Sequence, residues 1–277
     1  MKRNQALLGT YVEICIEEDE NSTPQQKHFY QEICNVIFRE ISKVQALMSV
    51  HECDSDISRI NRLSKINKSI VCSVHPWTYE LLHIAQIICE NTNGYFDCGV
   101  GQCSLRKDIC HCLNKNSSIQ SIQLLEKNEI RIIDPIRIDL GGIAKGYAVD
   151  RGIEILKNFG VENGMINAGG DLRVIGGRSQ AIYLKEKEYG NTFIFLGNLK
   201  EGAIATTSSR FGKVSRNRGM SYLINPKTGE CIEDDLSYSI VAPTCVVADG
   251  LTKALAIEKN IQASYFKKFG AIPIIVE

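Results

Sequence analysis

The chain has 277 residues, with 32 Lys+Arg against 32 Asp+Glu, 44% hydrophobic residues and no block of like charge. That length is ample for a buried core, and the charge balance leaves no electrostatic footprint for nucleic acid or an anionic membrane surface. No stretch reaches the apolar length of a transmembrane helix, and the opening MKRNQALLGTYVEICIEEDE lacks a signal peptide's apolar region, so a soluble cytoplasmic protein with free thiols is expected from its eleven cysteines.

Residues 8–16 alternate apolar and polar side chains and read as a strand, followed by a DENSTPQQ loop. Phe29, Ile33, Val36, Ile37, Ile41, Val44 and Leu47 keep helical spacing, which predicts a long amphipathic helix over 27–47. Asp54 or Ser55 then caps a short helix carrying Ile57 and Ile60. Pro76 opens another helix, through Leu81, Leu82, Ala85 and Ile88, that ends near Asn93-Gly94. Tyr95-Phe96-Asp97 and Gly99-Val100-Gly101 come next. On these residues alone, they fit the wall of a planar ligand and equally a strand start with one buried aromatic. Cys98, Cys103, Cys110, His111 and Cys112 cluster here, yet their spacing matches no common zinc or iron–sulfur pattern, so they read as small hydrophobes. Residues 119–133 read as helix or loop, then strand.

The most informative stretch is 137–177, RIDLGGIAKGYAVDRGIEILKNFGVENGMINAGGDLRVIGG. A short strand over 137–140 carries Asp139, breaks at Gly141-Gly142 and gives way to a helix whose inward face is Ala144, Ala148, Gly152, Ile155, Leu156 and Phe159. Two glycines let backbone approach a ligand, and the first helical N–H groups lack partners of their own. With Lys145 adding a positive charge one turn in, the arrangement suits a phosphate-bearing nucleotide. A strand-helix-hairpin unit that only packs fits the same residues, and the segment is neither GxGxxG nor a P-loop. Residues 165–168 and 172–175 form a hairpin around Gly169-Gly170-Asp171. Strands follow at 181–184, 192–196, 203–207, 222–224 and 237–241, then a helix beginning at Asp249 and a closing strand over 271–276. Strands that outnumber parallel βαβ units, hairpin turns and long helices argue for an α+β fold with mixed or antiparallel sheets.

DLGGIAKGYAVD together with INAGGD resembles the signature of the ApbE family, the FAD:protein FMN transferases. Other blocks of that family follow in order: LLGTYV (7–12), LMSVHECDSDISRINR (47–62), GYFDCGVGQ (94–102), TTSSR (206–210), INPKTGE (224–230) and IVAPTCVVADGLTKAL (240–255). The likeness spans nearly the whole chain and implies one ApbE-like domain over 1–277, with a cofactor cleft between two lobes.

The resemblance implies FAD as substrate and an acceptor protein with a Ser or Thr flavinylation site. It implies FAD contacts at Leu8, His51, Tyr95, Phe96, Asp97, Asp139, Lys145 and Ile224. It further implies Mg²⁺ held by the Gly142 carbonyl, Asp249 and Thr252. Two blocks depart from the family pattern where the chemistry is expected, beside milder exchanges at Leu8 and His51. The usual Thr metal ligand is Lys253 here. The S-H-x-x-D-P block reads S-Y-L-I-N-P, so Tyr222 stands where relatives carry the proposed catalytic base. A phenol titrates near pH ~10 and makes a poor neutral-pH base unless its pKa is pulled down. An FAD-binding protein without transfer activity, and an FAD pyrophosphatase giving FMN and AMP, therefore stand as alternatives on the same pocket.

Overall fold

The computed structural model describes residues 1–18, 22–65, 69–100, 117–185, 192–208, 223–232 and 234–277. The predicted first strand is the second of a hairpin, β1 (Lys2–Leu7) and β2 (Thr10–Ile16), joined by Leu8-Gly9. Both turn residues lie in the left-handed region, at φ 56 and 70, as a two-residue type I′ turn requires. β1 is absent from the sequence-based reading because it is an edge strand, wet on both sides, and KRNQAL shows no alternation. Three short strands, β3 (Ile70–Ser73), β4 (Ile122–Leu124) and β5 (Glu129–Ile132), form a separate antiparallel sheet in the order β3-β5-β4.

The main sheet continues with the hairpin β6 (Gly164–Ala168) and β7 (Asp171–Ile175), turning at Gly169-Gly170 as predicted. β8 (Gln180–Lys185) and β9 (Phe193–Leu199) pair only with each other. β10 (Gly202–Ser208), β11 (Ser237–Ala242) and β12 (Ile272–Val276) complete a seven-stranded sheet ordered β1-β2-β6-β7-β10-β11-β12, all antiparallel. Alternation on β7 sends Leu172 and Val174 to a small core with Ile182 of β8, and turns Asp171 and Arg173 the other way, toward the helices.

Those helices are α1 (Pro24–Met48), α2 (Asp56–Leu63), α3 (Pro76–Asn91), α4 (Ala144–Asn158), α5 (Cys245–Glu258) and the short α6 (Ser264–Lys268). Thr23 and Gln26 form a capping box at the start of α1, three residues ahead of the periodic run. Of the two candidate caps for α2, Ser55 is the one used: its hydroxyl accepts the Ser58 N–H. α1 packs on α4, and α4 on α5, β6 and β7. The main core lies between these helices and the sheet, with Ile14, Ile37, Ile41, Ile153, Ile166 and Leu251 fully buried. No helix among the described residues is long and apolar enough to cross a membrane. Cys15, Cys34, Cys53, Cys72, Cys89, Cys98 and Cys245 are free thiols, whereas Cys103, Cys110, His111 and Cys112 lie outside the described residues.

Among the predicted boundaries that move, two bear on the site, and the strand expected over 222–224 is a single bridge from Ile224 to Cys231 among the described residues. Residues 137–140 make a single bridge, Arg137 to Val100, in place of a strand. The side chain of Asn61 takes the neighbouring strand's role, accepting the Ile138 N–H at 2.7 Å and donating to the Ile138 carbonyl at 2.8 Å. α5 begins at Cys245, so Asp249 lies a turn inside it.

Near the end of α5, Asp234 accepts the Tyr238 hydroxyl at 2.5 Å and pairs with Lys259 at 2.9 Å. Burial would raise the Asp234 carboxyl, but Tyr238 and Lys259 outweigh it and hold the group below its ordinary value. A carboxyl lowered on folding gives stability that is present above its unfolded pKa, about 3.9, and lost as pH falls through the lower folded value. Asp234→Asn is therefore expected to lower the urea midpoint at neutral pH, with the gap from the parent closing on acidification below the ordinary carboxyl range. Urea melts at several pH values check this, and a gap independent of pH would contradict it.

Candidate functional site

A cleft of about 490 Å³ opens where three segments meet. Leu8 and Gly9 come from the β1–β2 turn, Met48 and residues 49–52 from the end of α1, and Asp139, Leu140, Gly141, Ala144 and Lys145 from the glycine turn and first turn of α4. The volume lies in the small-molecule range of about 300–1,000 Å³. Leu8 holds a left-handed conformation that branched side chains avoid, and its N–H donates to Gln45 Oε1 at 2.7 Å. The side chain of Asp139 accepts the Gly141 N–H at 2.8 Å and so shapes the turn it precedes. His51 is exposed at the rim.

Beneath the cleft lie four charged groups. Lys145 of α4 pairs with Asp171, the first residue of β7, and Lys253 pairs with Asp249 one turn back on α5. Asp171 is 1% exposed and Asp249 0%. Burial would lower the Lys145 ammonium, but Asp171 and Asp249 outweigh it and keep it charged. Burial would likewise raise Asp249; Lys253, Lys145 and the Gly146 N–H hold it below the usual carboxylate range instead. Asp171, fully enclosed and facing Asp249, is raised by burial.

The N-termini of α4 and α5 meet here, and each helix caps the other. Asp249 accepts the Gly146 N–H of α4 at 3.1 Å, while Asp150 of α4 accepts the Cys245 and Val246 N–H groups of α5 at 2.9 and 2.8 Å. Neither helix has a side-chain hydrogen bond from its own N-cap residue. A carboxylate at a helix start satisfies orphan donors and complements the dipole. The expectation of unpartnered N–H groups at the start of α4 is corrected at two of them: Gly146 is taken by Asp249, and Ala144 donates to Leu140 O at 2.8 Å.

Of the sequence-derived residues, Leu8, His51, Asp139 and Lys145 line one cleft. Gly142 and Asp249 meet around Lys253, whose stem carbons would lie 3.4–3.7 Å from a Cβ at Gly142. Tyr95 is not among the cleft's lining residues; the Lys227 ammonium lies 3.8 Å from its ring centre, in the turn that Ile224 opens. Phe96 is in the core at 3% exposure. Asp97 organises its loop, accepting the Gly99 and Ile119 N–H groups at 2.7 and 2.9 Å. Tyr222 lies outside the described residues. Sequence reasoning passed over Gln45, Asp150 and Asp171. The last two stand inside the DLGGIAKGYAVD and INAGGD runs, and an acid in a motif helix or just after a glycine turn was the available signal.

The oxygen donors assigned to Mg²⁺ fit that ion poorly. Both carboxylate oxygens of Asp249 are engaged, by the Lys253 ammonium and the Gly146 N–H. The Thr252 hydroxyl is fully buried and donates to the Asp249 carbonyl at 2.7 Å. Magnesium demands near-octahedral oxygens, and an ammonium at about 4 Å opposes it by roughly 4 kcal/mol per unit charge at an effective dielectric near 20. The described residues contain no group of three or more His, Cys, Asp or Glu that could hold a metal ion.

The chain is similar to several known proteins. The chain is 25% identical over 274 residues to the FAD:protein FMN transferase of Buchnera aphidicola subsp. Schizaphis graminum, covering 90% of this chain and 77% of that protein. The Haemophilus influenzae FAD:protein FMN transferase is also 25% identical, over 278 residues, covering 90% of this chain and 78% of that one. Among solved structures, the ApbE protein of Thermotoga maritima superposes with a TM-score of 0.83 at 25% identity, covering 100% of this chain and 94% of that one. The flavin transferase ApbE of Vibrio cholerae shares the fold, with a TM-score of 0.75 at 22% identity over 93% of this chain and 86% of that one. The ApbE family's sequence model matches residues 8–270, so the chain belongs to the ApbE family.

Proposed function

We propose that this chain transfers the FMN half of FAD to a serine or threonine hydroxyl of an acceptor protein and releases AMP. The observation that carries the reading is the shared cleft: Leu8, His51, Asp139 and Lys145 come from three separate parts of the chain and line one cavity. The names of the relatives support it. The diphosphate lies on the 139–145 turn beside Lys145, and the flavin end lies against Leu8, Met48 and His51. Tyr95 is an outer contact, and Phe96 and Asp97 position the loop that carries it.

In the proposed step the acceptor oxygen attacks the phosphorus on the flavin side. A new P–O bond forms, the anhydride P–O bond breaks, and its electron pair leaves on AMP. The hydroxyl proton passes to a base on the acceptor side, a position for which Tyr222 is the chain's own candidate. Lys145 supplies positive charge where the anhydride's charge develops, in an enclosure where such charge counts for more than in water.

Purified protein, FAD and a peptide with a Ser/Thr flavinylation motif, followed by mass spectrometry, test the reading. A peptide heavier by FMN with matching AMP is expected. Free FMN and AMP with unmodified peptide would show a pyrophosphatase, and bound intact FAD with no products a binding protein; either refutes transfer. Asp139→Ala is expected to weaken FAD binding about tenfold, or ~1.4 kcal/mol, because the Gly141 N–H loses its partner and the turn its shape. Among the described residues the half-buried side chain makes that one local bond, so the melting temperature should move little. Flavin fluorescence titration beside a thermal melt checks both.

A further inference from the structure

We propose that Lys253 is the resident cation of the diphosphate site, so that the chain holds its dinucleotide without a divalent metal ion. The inference rests on the FAD reading of the cleft and departs from the Mg²⁺ that the family resemblance implies.

Three observations carry it. The first is position. Lys253 stands four residues after Asp249 on α5, so both side chains share a face, and its stem runs along Gly142. A side chain there closes the space between the glycine turn and the buried carboxylate. The second is the charge of the enclosure. Asp171 and Asp249 against Lys145 alone leave one uncompensated negative charge, a standing demand for a cation. Lys253 meets it, and the four groups sum to zero. The third is the donor set. The ammonium donates to the Asp249 carboxylate and, at 3.1 Å, to the Asp249 carbonyl. Among the described residues, two of its three N–H donors are thus taken, leaving one for a ligand oxygen beside the turn. Each Asp249 carboxylate oxygen already accepts one of these bonds, and the Thr252 hydroxyl is buried and turned to the Asp249 carbonyl, so a metal here would have to share oxygens with an ammonium beside it.

The experiment has two arms. In the first, Mn²⁺ is titrated into the protein without flavin and followed by electron paramagnetic resonance. The parent chain is expected to bind no ion at this site, and Lys253→Thr to bind one that is lost again when Asp249→Asn is added. Mn²⁺ bound by the parent and released by Asp249→Asn would overturn the proposal. In the second arm, FAD affinity is measured by flavin fluorescence with EDTA and with excess Mg²⁺. The parent is expected to change by less than about twofold, whereas Lys253→Thr falls about tenfold in EDTA and recovers with Mg²⁺. A parent that loses tenfold or more in EDTA would also overturn it.

Should Lys253→Thr fail to fold, Lys253→Gln keeps an unbranched stem and a donor, one atom shorter and without the charge, and the measurements on the parent stand without either variant. No FAD binding under any condition would defeat the dinucleotide reading and with it the diphosphate role. The Mn²⁺ arm would then still report separately whether Lys253 excludes a metal.

Discussion

Gly146→Ala is expected to destabilise the protein by about 3 kcal/mol, at or above the upper end of ordinary overpacking. A Cβ at this position would sit 2.3 Å from the Cys245 carbonyl oxygen, 2.7 Å from its carbonyl carbon and 2.8 Å from Asp249 Cβ. Two of those atoms are backbone at the start of α5, so relief requires moving one helix from the other. That movement would also part Asp249 from the Gly146 N–H and carry Lys253 away from Gly142, so FAD binding should fall with stability. Gly152→Ala, on the same helix, is the control. Its new Cβ would meet the Ile166 Cδ1 tip at 2.6 Å, a side-chain end that can give way, and the Ile37 Cγ2 methyl at 3.0 Å, with no backbone atom in the way. Alanine also gains up to about 1 kcal/mol of helix propensity there, so a net cost within about 1 kcal/mol is expected. At about 2–4 °C per kcal/mol for a chain near this size, thermal melts should separate the variants by several degrees. A Gly152→Ala protein less stable than Gly146→Ala would refute this account of the α4–α5 contact.

Asp150→Ala is expected to cost about 3–5 kcal/mol, the range for removing one partner of a buried charge pair. Asp150 accepts the first two N–H groups of α5 and pairs with Arg173 at 2.6 Å. Alanine would leave two buried helix-terminal donors and a half-buried guanidinium without this acceptor, and each buried unsatisfied group carries a penalty of about 1–3 kcal/mol. Asp150→Asn keeps one acceptor oxygen for α5 but loses the charge pairing, so an intermediate loss is expected. Urea unfolding of the parent and both variants decides it. A loss below about 1 kcal/mol for alanine, within the range of an ordinary surface substitution, would show that water reaches these groups.

What could be read from the sequence follows from where each signal resides. Ile33, Ile37, Ile41 and Val44 announce α1 because its inward face repeats every three to four residues. Gly169-Gly170 announces the β6–β7 turn because both residues need positive φ, here 66 and 103. The antiparallel α+β fold follows from such local patterns. Features set by distant partners were not legible. The start of α5 is fixed by Asp150, 95 residues before Cys245, and the backbone of Ile138 is satisfied by Asn61, 77 residues earlier. Within the site, the motif order identified Leu8, Asp139 and Lys145, which share the cleft. It put Phe96 on the ligand, where the residues alone had equally allowed the buried aromatic that Phe96 is, and it gave no means of seeing that Asp249 is held by Lys253 and Gly146.

The mutual capping of α4 and α5 ties the cleft floor to chain completion. A nascent chain that has reached β10 already carries the glycine turn and all of α4, yet the carboxylate that closes the first turn of α4 arrives only with Asp249. Fragments ending before Cys245 should therefore display a frayed turn and no flavin affinity. Grafting the site into another scaffold would likewise require both helices to be transplanted as a pair, because each supplies the other's missing end.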